Sequence, residues 1–321
     1  MTRVLIAEPD RFSREAIVTL ETVADVVRRS TSQEELGTVL EQFDVVWIRL
    51  GLRIEAEDLP ANPRCGLVVS ATTGLDHLDL AALAARNIRV LSLKGRREFL
   101  TQIRGTAELT IALLLALLRR LPTALDAVRA GEWNRDDFRG CEIFEKTVGI
   151  VGYGRLGSIV ASYLHAMSAR ILAYDPNVTV AETYVGQVAG LDELLARSDI
   201  VTLHADLNDT TRGLLGSREF SLMQPGAVLI NTARGELLDE AALLDALHTQ
   251  RLAGAAVDVL RGEPGITTEH PLVAYAATHE NLLITPHLGG GTVESMPRCE
   301  RFLAGLVREW IESRNATDLN S

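Results

Sequence analysis

The stretch TVGIVGYGRLGSIVASYL, residues 147–164, constrains the fold more than any other part of the chain. An apolar, β-branched run leads straight into Gly152, Gly154 and Gly157 at G-x-G-x-x-G spacing, and an apolar-periodic helix follows. A strand that turns this tightly into a helix belongs to a parallel α/β unit. The rest of the chain agrees. Strand patterns at 4–7, 25–28, 45–48, 67–70 and 89–91 alternate with helical patterns at 11–21, 33–42 and 78–86. After an irregular connection from Gly131, a second series of strands is expected at 147–151, 171–174, 200–203, 228–231, 254–257 and 282–285. The expected architecture is α/β with doubly wound parallel sheets, and 321 residues suit two domains.

Composition removes several function classes. At 47% hydrophobic and 23% charged residues the chain has globular make-up, and its net charge of −11 opposes general binding to nucleic acid or anionic membrane. Cys65, Cys141 and Cys299 are far apart and form no CxxC pair, so neither a disulfide framework nor a metal site is indicated and a reducing cytoplasm is expected. The N-terminus has no secretory pattern. The most apolar run, 109–118, would rise only about 15 Å as a helix, half a bilayer core, so no membrane span is expected. The helix expected over 106–121 is apolar nearly all round and should be buried between layers, domains or subunits, and Pro122 need not end it. The polar tail from Ser313 is expected to fray.

In the glycine motif, Gly152 permits the tight turn, Gly154 removes the Cβ that would block a pyrophosphate, and Gly157 lets helix and strand approach. The helix N-terminus that opens at Arg155 and Leu156 offers free N–H groups and a positive dipole end to phosphates. The next strand pattern ends in Tyr174-Asp175-Pro176, about 18 residues past the last glycine and close to the roughly 20 of a ribose-binding acid. Such an acid accepts hydrogen bonds from ribose hydroxyls and repels a 2′-phosphate, and no Arg or Lys follows in Pro-Asn-Val-Thr. NAD(H) is therefore expected over NADP(H).

Three later segments, INTARGELLDEAAL, AAVDVLRGEP and ITPHLGGGT, each place a chargeable residue just past a strand end, where ligands sit in open α/β sheets. Singly, Arg234, Glu263 or His287 would pass for a surface charge or a packed imidazole. With TTGLDHLDL, TAELTIALLLALLR, GIVGYGRLG, YDP and TPHLGGGT in this order, the sequence resembles the D-isomer-specific 2-hydroxyacid dehydrogenase family, of the phosphoglycerate dehydrogenase-like kind, over nearly the whole chain. The resemblance implies a Rossmann NAD-binding domain at 101–289 inserted into a flavodoxin-like substrate domain formed by 1–100 and 290–321, to which a last helix near 293–313 returns. It implies NAD-dependent interconversion of a 2-oxo acid and a (R)-2-hydroxy acid. Such chemistry needs a cation for the carboxylate, a donor to the ketone oxygen and a proton for the forming alkoxide. By resemblance, Arg234 holds carboxylate and carbonyl, His287 is the general acid/base, and Glu263 hydrogen-bonds the histidine. Asp258 falls near the nicotinamide carboxamide. Thr232, Ala233 and Gly290 are placed with the cofactor, Thr73 and Gly74 with the substrate carboxylate. The family implies a homodimer, with the 106–121 helix contributing to the interface.

The chain departs from the family in two places. The segment RVLSLKGRREFLTQIRGTA is about five residues longer than the usual connection and carries Lys94, Arg96, Arg97 and Arg104. The segment is either a solvated loop or dimer contact, or one or more of these residues meet a second anionic group on the substrate, a phosphate, phosphonate or distal carboxylate, with Arg104 the foremost candidate. Asp206, in His204-Ala205-Asp206, stands where the family commonly has proline and has no assigned role. The sequence ends soon after the returning helix, so no C-terminal regulatory domain is expected. Two alternatives stay open: oxidation of phosphite or formate, of which the formate branch has glutamine where Glu263 stands, and an NAD-sensing, corepressor-like binding protein. Which 2-oxo acid is used is not legible.

Overall fold

The computed structural model describes residues 1–318, with side chains through Arg314. The chain forms two compact units, one built from residues 1–103 and the chain from Thr292 onward, the other from 104–291.

The first unit holds five parallel strands, β1 (Arg3–Ile6), β2 (Asp25–Arg28), β3 (Val45–Ile48), β4 (Leu67–Ser70) and β5 (Arg89–Ser92), in the order β2-β1-β3-β4-β5. Because successive strand residues point to opposite faces, Val4, Ile6, Val45, Trp47, Leu67 and Val69 build one core and Leu5, Val46, Ile48 and Val68 another. Helices α1 (Arg14–Glu21), α2 (Leu36–Gln42), α3 (Leu80–Ala85) and α4 (Arg97–Leu100) belong to this unit. The helices expected from residues 11 and 78 start later because Ser13 and Asp79 cap them, their side chains accepting from the amides of Ala16 and Ala82. α4 lies inside the segment read from sequence as a basic loop.

The second unit opens with α5 (Gly105–Leu118) and α6 (Leu121–Arg129). A single helix over 106–121 is not formed. Proline at position 122 has no N–H for the Leu118 carbonyl, which accepts instead from the Cys141 amide at 2.9 Å. Arg120 turns into the left-handed region at φ 49°, and Pro122 sits in the first turn of α6. Residues 97–118 are apolar enough to compare with a membrane span, but they are two helices; α5 has 14 residues, a rise of about 21 Å, and buries Ala107, Leu113, Leu114 and Leu117 within its own unit.

There follow β6 (Thr147–Val151), α7 (Arg155–Ala166), β7 (Arg170–Tyr174), β8 (Val185–Gln187), α8 (Leu191–Arg197), β9 (Ile200–Leu203), α9 (Ser217–Leu222), β10 (Ala227–Asn231), α10 (Glu240–His248), β11 (Leu252–Val257), α11 (Pro271–Ala276) and β12 (Leu282–Ile284). All pairings are parallel, in the order β12-β11-β10-β9-β6-β7-β8, with an apolar core on each face. β8, three residues with a central glycine, carries too little pattern to be read from sequence. The winding direction reverses between β6 and β9, the switch point where ligands bind in such sheets.

The chain then re-enters the first unit as α12 (Ser295–Asp318), which lays Cys299, Leu303, Ala304, Val307 and Ile311 against the core that includes Ala16, Ile17 and Leu20 of α1. Its fully buried Glu300 meets Arg49 Nη2 at 2.5 Å and accepts from the Ser13 amide at 2.7 Å. The tail expected to fray from Ser313 continues the helix to Asp318; its last three residues lie outside the described residues.

Candidate active site

The carboxyl edge of the seven-stranded sheet gathers the sequence motifs. Gly152 follows β6 at φ 89°, and an added Cβ would lie 2.5 Å from the Ala205 amide nitrogen after β9. A Cβ on Gly157 would lie 2.2 Å from the Gly152 carbonyl oxygen, while one on Gly154 would meet nothing within 4 Å. Two glycines thus serve chain packing and the third leaves open space at the start of α7, whose N-terminus has no side-chain cap. Asp175, directly after β7, accepts from the Tyr153 and Asn177 amides, both at 2.9 Å, leaving a lone pair on each oxygen. An open helix N-terminus beside an acid with spare acceptors fits a dinucleotide's pyrophosphate and ribose hydroxyls. Arg155 and Leu156 form the first turn of that helix.

Beyond β9, His204 Nε2 meets the Thr202 hydroxyl at 3.0 Å while Nδ1 is buried and, among the described residues, has no partner. Burial pushes its pKa down to about 4, so the ring is neutral. Asp206 is exposed, and its carbonyl accepts from the Thr211 hydroxyl at 2.6 Å.

After β10, the fully buried Asn231 fixes the next turn: its Oδ1 accepts from the Ala233 amide at 3.0 Å and its Nδ2 donates to the Arg234 carbonyl at 2.8 Å. The Thr232 hydroxyl is engaged with Thr110 of α5 at 2.8 Å, so this side chain anchors the turn. Arg234 is half-buried, with Nη1 donating to the Ala233 carbonyl at 2.7 Å. Gly235 brings this turn against the loop after β11, since a Cβ there would lie 2.2 Å from the Leu260 carbonyl carbon. In that loop Glu263 Oε1 accepts from the Leu260 amide at 2.5 Å and Oε2 meets His287 Nδ1 at 2.6 Å. Both side chains are about a quarter exposed, which keeps the pair accessible. With Nδ1 held by the carboxylate, Nε2 is the nitrogen left for proton exchange.

His287 stands at φ 54°, a left-handed conformation costly for a residue with a Cβ. Asp258 holds it there. Its carbonyl accepts from the His287 amide at 2.8 Å. Its carboxylate takes the Thr285 hydroxyl at 2.5 Å and the Leu288 and Gly289 amides at 2.7 and 2.8 Å. Burial raises the Asp258 carboxyl pKa, against the lowering effect of these donors. Gly289 packs on Thr106 of α5, 3.0 Å from where its Cβ would be, and Gly290 faces open space.

In the first unit, Thr73 is exposed and Gly74 half-buried on the turn after β4. A polar chain shapes that turn: His77 Nε2 to Ser70 Oγ at 3.1 Å, Ser70 to Thr72 at 3.0 Å, and the Thr72 hydroxyl donating to the Gly74 carbonyl at 2.8 Å. Lys94, Arg96, Arg97 and Arg104 are all exposed and, among the described residues, none forms a side-chain ion pair. Asn231, Thr285, Ser70 and His77 escaped the sequence reading. The signal for Asn231 was a polar residue closing an apolar strand two positions before a turn; the others carry none without coordinates.

The model of the NAD-binding domain of D-isomer specific 2-hydroxyacid dehydrogenases matches residues 111–289. The chain belongs to that family. It is 37% identical to D-3-phosphoglycerate dehydrogenase of Mycobacterium tuberculosis over 278 residues, 86% of this chain and 51% of that protein. The chain thus spans about half the length of the curated relatives it matches. Among solved structures, D-lactate dehydrogenase from Aquifex aeolicus, complexed with NAD and lactic acid, superposes at TM-score 0.85 with 26% identity, covering 97% of this chain and 96% of that one. The TT0316 protein from Thermus thermophilus superposes at 0.82 with 31% identity, covering 94% of each chain. The family's cofactor is NAD, which the Gly152–Gly157 turn and Asp175 suit.

Proposed function

We propose that this chain is an NAD-dependent dehydrogenase interconverting a 2-oxo acid and a (R)-2-hydroxy acid. The observation that carries the reading is the 2.6 Å contact of His287 Nδ1 with Glu263, on a loop braced against the Arg234 turn. NAD supplies the hydride donor or acceptor. Arg234 holds the substrate carboxylate and polarises the ketone oxygen through its guanidinium fork. His287 delivers a proton from Nε2 to the alkoxide oxygen in reduction and removes it in oxidation, while Glu263 fixes the orientation of the ring through Nδ1. A donating imidazole–carboxylate pair favours this over formate oxidation, which needs no proton transfer from carbon-bound oxygen.

The substrate class we assign carries a second anionic group. Arg104 supports this: it is exposed at the start of α5, two residues from Thr106, which packs on the glycine just past His287. The partner is a second copy of the chain. α5 buries much of its apolar surface internally, and the exposed row Leu121, Leu125 and Val128 of α6 takes the role that the sequence reading gave to the 106–121 helix. A single-chain mass in sedimentation would overturn the dimer.

NADH consumption with a panel of mono- and dianionic 2-oxo acids, and NADH production from formate and phosphite, tests the activity. His287→Ala is expected to lose several orders of magnitude in turnover while binding NADH as before; an ordinary rate sinks the assignment. Arg104→Ala should weaken dianionic substrates selectively, and an equal effect on both classes removes the second-anion reading.

A further inference from the structure

The loop at 260–265 carries Glu263, yet Arg261, Gly262, Pro264 and Gly265 in it are exposed. A second carboxylate grips it. Glu240, the first residue of α10, accepts from the Arg261 amide at 2.8 Å through Oε1, and its Oε2 meets His270 Nε2 at 3.3 Å. The adjacent Leu260 amide is taken by Glu263 itself at 2.5 Å. Two consecutive amides are thus bound by two carboxylates, and the other oxygen of each carboxylate meets a histidine. Glu240 and His270 have side chains only 17% and 14% exposed. His270 Nδ1 is buried and, among the described residues, has no hydrogen-bond partner. Glu240 follows the Arg234–Gly235 turn closely in sequence, and its side chain joins the Glu263 loop to His270 at the start of α11.

We propose that Glu240, backed by His270, is a positioning residue: it sets the register of the 260–263 loop and so the geometry in which Glu263 meets His287 Nδ1. This rests on the acid/base reading of His287. A loop released at Arg261 can slide, and displacements near 1 Å at a reacting pair lower rates by about 100-fold.

The test compares Glu240→Ala, Glu240→Gln and His270→Asn by proton NMR of the substrate-free protein and by steady-state kinetics. The reporter is the downfield imidazole proton shared by His287 and Glu263, assigned by its loss in His287→Ala. Glu240→Ala is expected to shift or broaden it and lower kcat about 10- to 100-fold, with KM for NADH changed less than twofold. Glu240→Gln keeps an acceptor for the Arg261 amide and should recover most of both. His270→Asn should move the resonance the same way, and it decides the matter if Glu240→Ala does not fold. An unmoved resonance and unchanged kcat in Glu240→Ala, an unmoved resonance in His270→Asn, or a Gln variant no better than Ala overturns the proposal. Full turnover by His287→Ala instead sinks the acid/base reading, while the resonance still judges the positioning role.

Discussion

Replacing Gly154 and Gly157 in turn by alanine separates packing from cofactor binding. At Gly157 the new Cβ would lie 2.2 Å from the Gly152 carbonyl oxygen, so α7 and the turn must part by close to 1 Å. Overpacking of this kind costs about 1–3 kcal/mol, or about 2–12 °C in Tm for a domain of this size. Gly154 differs: its φ of −81° suits alanine and no atom stands within 4 Å. The entropy lost by the unfolded chain favours alanine by about 0.4–1 kcal/mol, and the poorer helix N-cap offsets a similar amount. Its Tm should stay within about 2 °C, yet its Cβ occupies the space left for the pyrophosphate. NADH affinity should therefore fall at least tenfold, about 1.4 kcal/mol. Thermal melts without ligand and NADH fluorescence titrations read the two effects. If Gly154→Ala melted as low as Gly157→Ala, or bound NADH like the parent, the division of roles would be wrong.

Three further outcomes follow from the site. His204 has a folded pKa near 4 against an ordinary value of about 6.5, so the unfolded chain takes up its proton first; its contribution is complete above 6.5 and is lost as pH falls toward 4. That amounts to about 3 kcal/mol, and His204→Gln should flatten the fall in Tm between pH 7 and 4.5; parallel curves would count against it. Asp258→Asn keeps an acceptor for Thr285 and Leu288 but turns a donor toward the Gly289 amide, so denaturant titration should show a loss of about 1–3 kcal/mol together with reduced kcat. Asp175→Ala removes the negative charge where a 2′-phosphate would lie, and the ratio of kcat/KM for NADPH over NADH should rise about tenfold; an unchanged ratio would release Asp175 from the ribose role.

Strand positions were largely legible because buried parallel strands are continuous apolar runs, as in 45–48 and 67–70, and turns announce themselves through glycine, proline and polar residues. The break before α6 was not, because it depends on where the Leu118 carbonyl finds a donor, and that donor, the Cys141 amide, is distant in sequence. The chemistry-bearing residues were legible one by one, as side chains just past strand ends. Their supports were not: Asn231 under Arg234, Thr285 and the Asp258 carboxylate under His287, and Glu240 under the Glu263 loop have no periodicity, only complementary donors and acceptors.

The sequence by itself determined that this chain forms parallel α/β sheets with a glycine turn suited to NAD, since local periodicity and backbone sterics are properties of neighbouring residues. It also placed the chain in its family through ordered motifs. Only tertiary structure decided that Glu263 and His287 meet at 2.6 Å, that Asp258 braces His287, and that Glu240 accepts from the Arg261 amide of the Glu263 loop. Hydrogen bonds between residues far apart in sequence exist only when the sheet has brought their loops to one edge, and no local pattern encodes which donor will face which acceptor.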